Sequence, residues 1–88
     1  MIDNEFEWDD EKAASNAEKH GITFEQARLV FRDPFAVELL DDRADYNEDR
    51  YILIGMSATR LLVIVHVERH DRNRIISARR AEPNERRF

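Results

Sequence analysis

His66, Glu68, Arg69, Arg74, Arg79 and Arg80 crowd into one stretch near the end of the chain. A histidine, a carboxylate and an arginine are the parts needed to cut a phosphodiester with the neighbouring ribose 2′-hydroxyl as nucleophile. His or Glu takes or gives the proton, and Arg stabilises the extra charge on the pentavalent phosphorus. That chemistry calls for no metal and no cofactor. The same residues also fit a structural role, with His66 a satisfied core histidine, Glu68 and Arg79 a cross-strand ion pair, and Ser77 a small filler. Lys19 and His20 form a second candidate pair, and they too have a plain reading, since cations in the last turn of a helix complement its dipole. Trp8 and Tyr51 can stack a base or pack in the core. The residues alone leave these alternatives open. Other constellations are missing from the sequence: there is no glycine-rich phosphate loop, no nucleophile elbow and no cysteine, and of the three histidines only His66 and His70 are four residues apart, across a strand end rather than on a helix, which makes at most a weak metal site.

The elements that must position these groups begin with two strands. Residues 60–69 are apolar on both parities, the pattern of a strand covered on both faces and central in its sheet. A polar turn, His70 to Asn73, leads to a partner over 74–80. With Arg69 paired to Arg74, one face carries Val63, Val65 and Val67 with Arg74, Ile76, Ala78 and Arg80, and suits a covering of helices. The other gathers His66, Glu68, Ser77 and Arg79 side by side.

Earlier in the chain, Phe6-Glu7-Trp8 alternates as a short edge strand. Asp9 or Asp10 can cap a helix running to Lys19 and His20, with Gly21 as its C-cap and Ala13, Ala17 and His20 facing inward. Thr23 with Gln26 is a capping box for a second helix through Phe31, which Pro34 stops. A strand over 35–40, an acidic exposed loop over 41–49 and a strand over 50–56 follow. Pro83 opens a short C-terminal helix. The order predicts an α+β fold, two N-terminal helices packed on an antiparallel β-sheet.

Eighty-eight residues, 42% hydrophobic and 38% charged, predict a single domain over 1–88 with a small core. The opening lacks the features of a secretory signal and no apolar run approaches the length of a membrane span, so the expectation is a cytoplasmic protein without membrane contact. The net charge of −5 hides an asymmetry. Residues 1–59 hold 15 acids against 6 Lys and Arg, whereas residues 60–88 hold 8 Arg against 4 acids. A local arginine field can attract phosphate even on an acidic protein, because salt screens charge over about 8 Å.

The chain resembles the BrnT toxins in Phe6-Glu7-Trp8-Asp9, Lys12, Asn16, Lys19-His20-Gly21, Phe24, Ala27, Phe31 and Asp33-Pro34. The resemblance continues through Arg50-Tyr51, Ile54-Gly55, His66-Val67-Glu68-Arg69, the run Arg74 to Ala81, and Glu85. It implies a RelE-like fold and a metal-independent ribonuclease that arrests growth. It further implies neutralisation by a BrnA-type antitoxin in a 2:2 complex that represses its own operon, with operator DNA reached only through the antitoxin. Carried onto matching positions, it places His66, Lys19, His20, Glu68, Arg69 and Arg79 at the catalytic site and Arg74, Arg80 and Lys12 along the RNA. Many relatives carry a tyrosine around the place where this sequence stops at Phe88, a departure that would weaken activity if such a tyrosine contributes. The alternative from another class is a non-catalytic module that binds the antitoxin and strengthens repression. Its acidic first half would repel DNA and leave operator contact to the partner.

Overall fold

The structure, a computed structural model, describes residues 1–41 and 49–87. Helix α1, Asp10–His20, starts where Asp9 accepts hydrogen bonds from the Glu11 and Lys12 amides, which hold its carboxyl below the usual carboxylate range. It ends at Gly21, whose φ of 69° is a left-handed conformation that glycine adopts without strain. Helix α2, Phe24–Val30, opens on the complete Thr23–Gln26 capping box. It ends at Val30, four residues before the proline expected to stop it.

Strands β1 (Phe6–Glu7), β2 (Val37–Asp41), β3 (Arg50–Ser57), β4 (Arg60–Arg69) and β5 (Arg72–Arg80) form one sheet in the order β1-β5-β4-β3-β2. The apolar β4 is central, as its composition requires. The fold is α+β, but the sheet is mixed rather than purely antiparallel, because β1 runs parallel to β5. The C-terminal helix is only a 3₁₀ turn, Pro83–Arg87. Most of the acidic stretch expected as an exposed loop, residues 42–48, lies outside the described residues, as does Phe88.

Two features change the expected pairing, and the second overturns the sorting of faces. The β4–β5 turn has two residues, His70 and Asp71, both at positive φ (53° and 63°), so Arg69 pairs with Arg72. Both central residues of such a tight hairpin turn need positive φ. The register then slips between Val65 and His66: Val65 faces Ser77 while His66 faces Ile75, leaving Ile76 as an extra residue in β5. Beyond this bulge every side chain of β5 changes face. Ala78 joins Ile64, and Arg79 joins Val63.

The helices cover the face of Leu53, Leu62, Ile64, Ile75 and Ala78, which pack with Phe6, Trp8, Ile22, Phe24, Ala27 and Val30 into the main core. The expected helix-bearing face, that of Val63 and Val65, is instead the other one. There Ile54 and Val63 pack with Ala81, which leads into the C-terminal turn. Gly55 lets the α2–β2 connection lie directly on β3, since a Cβ there would stand 2.8 Å from Ala36 Cβ. Asp33 fixes the same crossing by accepting the Met56 amide at 2.7 Å and the Phe35 amide at 2.9 Å, and these bonds hold its carboxyl below the usual range.

Candidate functional site

Helical spacing sets Lys12, Ser15, Asn16, Lys19 and His20 on one stripe of α1. With Ile76 and Ser77 of the bulged part of β5, they line an open cleft of about 220 Å³. Asn16 holds the two elements together. Its amide donates to the Ala78 carbonyl at 2.7 Å and to the Ile22 carbonyl at 3.0 Å, and its oxygen accepts the Ala78 amide at 3.1 Å. The buried side chain thus takes the place of a neighbouring strand where β1 has ended. Its signal in the sequence was an asparagine amid alanines, a local cost to a helix that calls for a tertiary reason.

Lys12 and Lys19 make no ion pair among the described residues, and both line the cleft beside His20. The other candidates are distributed differently. His66 is buried, at 1% exposure. Its Nε2 lies 2.9 Å from Glu38 Oε1, its ring stacks on Tyr51, and Phe31 meets it edge-on. Burial lowers its pKa from the usual value, with the Glu38 hydrogen bond and the charges of Glu38 and Glu68 opposing that shift. The second ring nitrogen, Nδ1, is buried without a hydrogen-bond partner among the described residues.

Arg79 lies on the face opposite His66, so those two groups cannot act on one phosphate from one sheet face. It meets Glu85 through two hydrogen bonds of 2.7 Å. Glu85 also accepts the Glu82 amide, tying the C-terminal turn to β5. Arg74 donates to Glu7 at 3.1 Å across the β1–β5 pair. Arg80 is exposed at the end of β5. Glu68 and Arg69 are exposed at the hairpin end of β4, where Glu68 faces Asn73. At about 3.3 Å per residue, that end stands about 13 Å along β5 from Ser77. Trp8 packs edge-to-face on Phe24 in the core and is not presented to a base, and the half-buried Tyr51 stacks on His66.

Of the nine candidate residues, Lys12, Lys19 and His20 converge in one cleft. Residues 8–85 match the family described as the ribonuclease toxin, BrnT, of type II toxin–antitoxin systems. The chain belongs to the BrnT family. Comparison with curated proteins returned no match. Membership of a type II system implies an antitoxin as partner, and the BrnT description gives the family's activity as ribonuclease. The matched span runs from Trp8 to Glu85 and so includes α1, the whole sheet from β2 to β5 and the Arg79–Glu85 pair. Among the described residues no helix is long and apolar enough to cross a membrane.

Proposed function

We propose that this chain is itself an active, metal-independent endoribonuclease, a single RelE-like toxin domain that cuts RNA in the cytoplasm at the cleft between α1 and β5. The observation that carries the reading is the convergence of Lys12, Lys19, His20 and Ser77 on one open cleft in a member of a ribonuclease family. His20, as neutral imidazole, takes the proton of the 2′-hydroxyl, whose oxygen attacks the adjacent phosphorus. The bond to the 5′-oxygen breaks, Lys19 gives that oxygen a proton, and the products are a 2′,3′-cyclic phosphate and a free 5′-hydroxyl. Lys12 stabilises the charge on the non-bridging oxygens.

The remaining candidates take supporting places in this scheme. Arg79 and Arg80 lie beyond Ser77 on β5 and guide the RNA backbone, while Glu68, Arg69 and Arg74 mark the far end of the strand. His66 keeps the edge strand in place through Glu38 and does not meet substrate. The antitoxin is of BrnA type, assembles 2:2, and is the component that touches operator DNA.

The test is induction in a bacterial host. The chain alone is expected to stop growth and deplete RNA, and co-expression of the antitoxin to restore growth. A His20→Ala variant is expected to be harmless while still binding antitoxin. Growth arrest by that variant equal to the parent's would overturn the assignment of the cleft, and no arrest by the parent would favour a non-catalytic module.

A further inference from the structure

The sheet has two edges, and the chain treats them differently. The β5 edge is covered by β1 at Asn73 and Arg74 and by Asn16 at Ala78. At the other edge, β2 pairs with β3 on one side, and no described residue pairs with its outer side. This strand is also apolar in an unusual place. Leu39 and Leu40 point to opposite faces, 38% and 57% exposed, and neither belongs to a buried cluster. Phe35, just before the strand, is 88% exposed. Asp33 holds it beside Met56, itself 40% exposed, so the apolar surface continues onto the end of β3.

Apolar residues on both parities are the composition of a strand covered on both faces. Sheet edges that remain free are instead shortened, bulged or charged. Here the charge is one-sided: β2 itself carries Glu38 and Asp41 and no basic residue, and the sequence from residue 37 to 50 holds six acids against two arginines. A second copy of the chain would bring the same sign to the same edge and be repelled, whereas a basic segment would be attracted.

We propose that the outer edge of β2 is the docking site of the antitoxin, which adds an extended, basic segment to the sheet and lays apolar side chains over Phe35, Leu39 and Leu40. This rests on the reading that the chain works with a protein antitoxin. Main-chain pairing supplies the register, and the apolar contacts on alternate faces supply specificity. The edge lies three strand spacings, about 14 Å, from β5. Capture at the edge and obstruction of the cleft are therefore separable, with the captured segment anchoring whatever part of the antitoxin covers α1.

The test uses the purified chain and the small protein encoded by the adjoining gene as antitoxin, with binding followed by calorimetry at low and high salt. The wild type is expected to bind more weakly as salt rises, and amides of Val37–Asp41 to gain protection from hydrogen exchange in the complex. The Leu39→Arg/Leu40→Arg variant is expected to keep its RNA cleavage and to lose at least about tenfold in affinity. Leu29→Arg, at an exposed site on α2, is expected to bind as the parent does. A folded double variant that binds within about twofold of the parent, or a complex without protection at β2, would overturn the edge assignment alone. Self-association of the chain that the double variant abolishes would make a second copy the occupant and overturn the proposal. Failure of the wild type to bind any antitoxin would overturn the underlying reading and the occupant with it.

Discussion

Replacing Asn16 by alanine removes three buried hydrogen bonds and leaves the Ala78 amide, the Ala78 carbonyl and the Ile22 carbonyl without their partner. Each such bond contributes about 1 kcal/mol net, and a buried group left unpaired costs about 1–3 kcal/mol. Alanine returns about 0.5 kcal/mol of helix propensity. The expected loss is therefore about 2–3 kcal/mol, a large share of the roughly 4–13 kcal/mol that a domain of this length commands. In a thermal melt it corresponds to a fall of about 10–20 °C. Urea unfolding monitored by circular dichroism measures it directly, with Glu18→Ala as a control at an exposed position of the same helix outside the cleft, expected to stay within about 0.5 kcal/mol. A loss below about 1 kcal/mol would refute the reasoning, because water would then be replacing the asparagine at the strand edge. The cleft responds as well. With α1 no longer held to Ala78, RNA cleavage should fall even well below the melting temperature.

Three further outcomes follow from the geometry. Gly55→Ala sets a methyl 2.8 Å from Ala36 Cβ and 3.0 Å from both Val30 and Asp33, so it should destabilise by about 1–3 kcal/mol in the same urea assay. The depressed pKa of buried His66 means that the unfolded chain binds the extra proton more readily; its stabilising contribution is present above pH about 6.5 and is lost as pH falls through the folded value. Unfolding midpoints across that range should fall with acidification in the parent and lose this component in His66→Gln. Lys19→Ala should lower the cleavage rate by about 10²-fold or more while leaving the melting temperature near the parent's, a split that separates a proton-transfer role from a structural one.

Much of the fold was legible because its local signals agree with one another. Asp9 and Gly21 bound α1, Thr23 and Gln26 open α2, and the apolar β4 lies at the centre of the sheet. What was hidden depends on contacts distant in sequence. The parallel pairing of Phe6 with Asn73 has no local signature. His70-Asp71 takes a conformation that Asn-Gly usually announces, so the turn reads two residues too long. The bulge at Ile76 carries no glycine to mark it, yet it decides that Ala78 enters the core and that Arg79 leaves the side of His66. For the site, Lys12, Lys19 and His20 were visible by type, and their convergence with Ser77 depends on how Asn16 docks α1 onto β5. A histidine on a strand and one at a helix end are alike in sequence. Burial separates them, placing His66 among Phe31, Tyr51 and Glu38 and leaving His20 at an open cleft.

The central claim, that the α1–β5 cleft cuts RNA by proton transfer, is tested most directly by incubating the purified chain with single-stranded RNA in excess EDTA and determining the ends of the products. Fragments ending in 2′,3′-cyclic phosphate and 5′-hydroxyl, formed by the parent and reduced about 10²-fold or more by a folded His20→Ala variant, are the expected result. Cleavage that EDTA abolishes, or that the variant performs at the parent's rate, would contradict it.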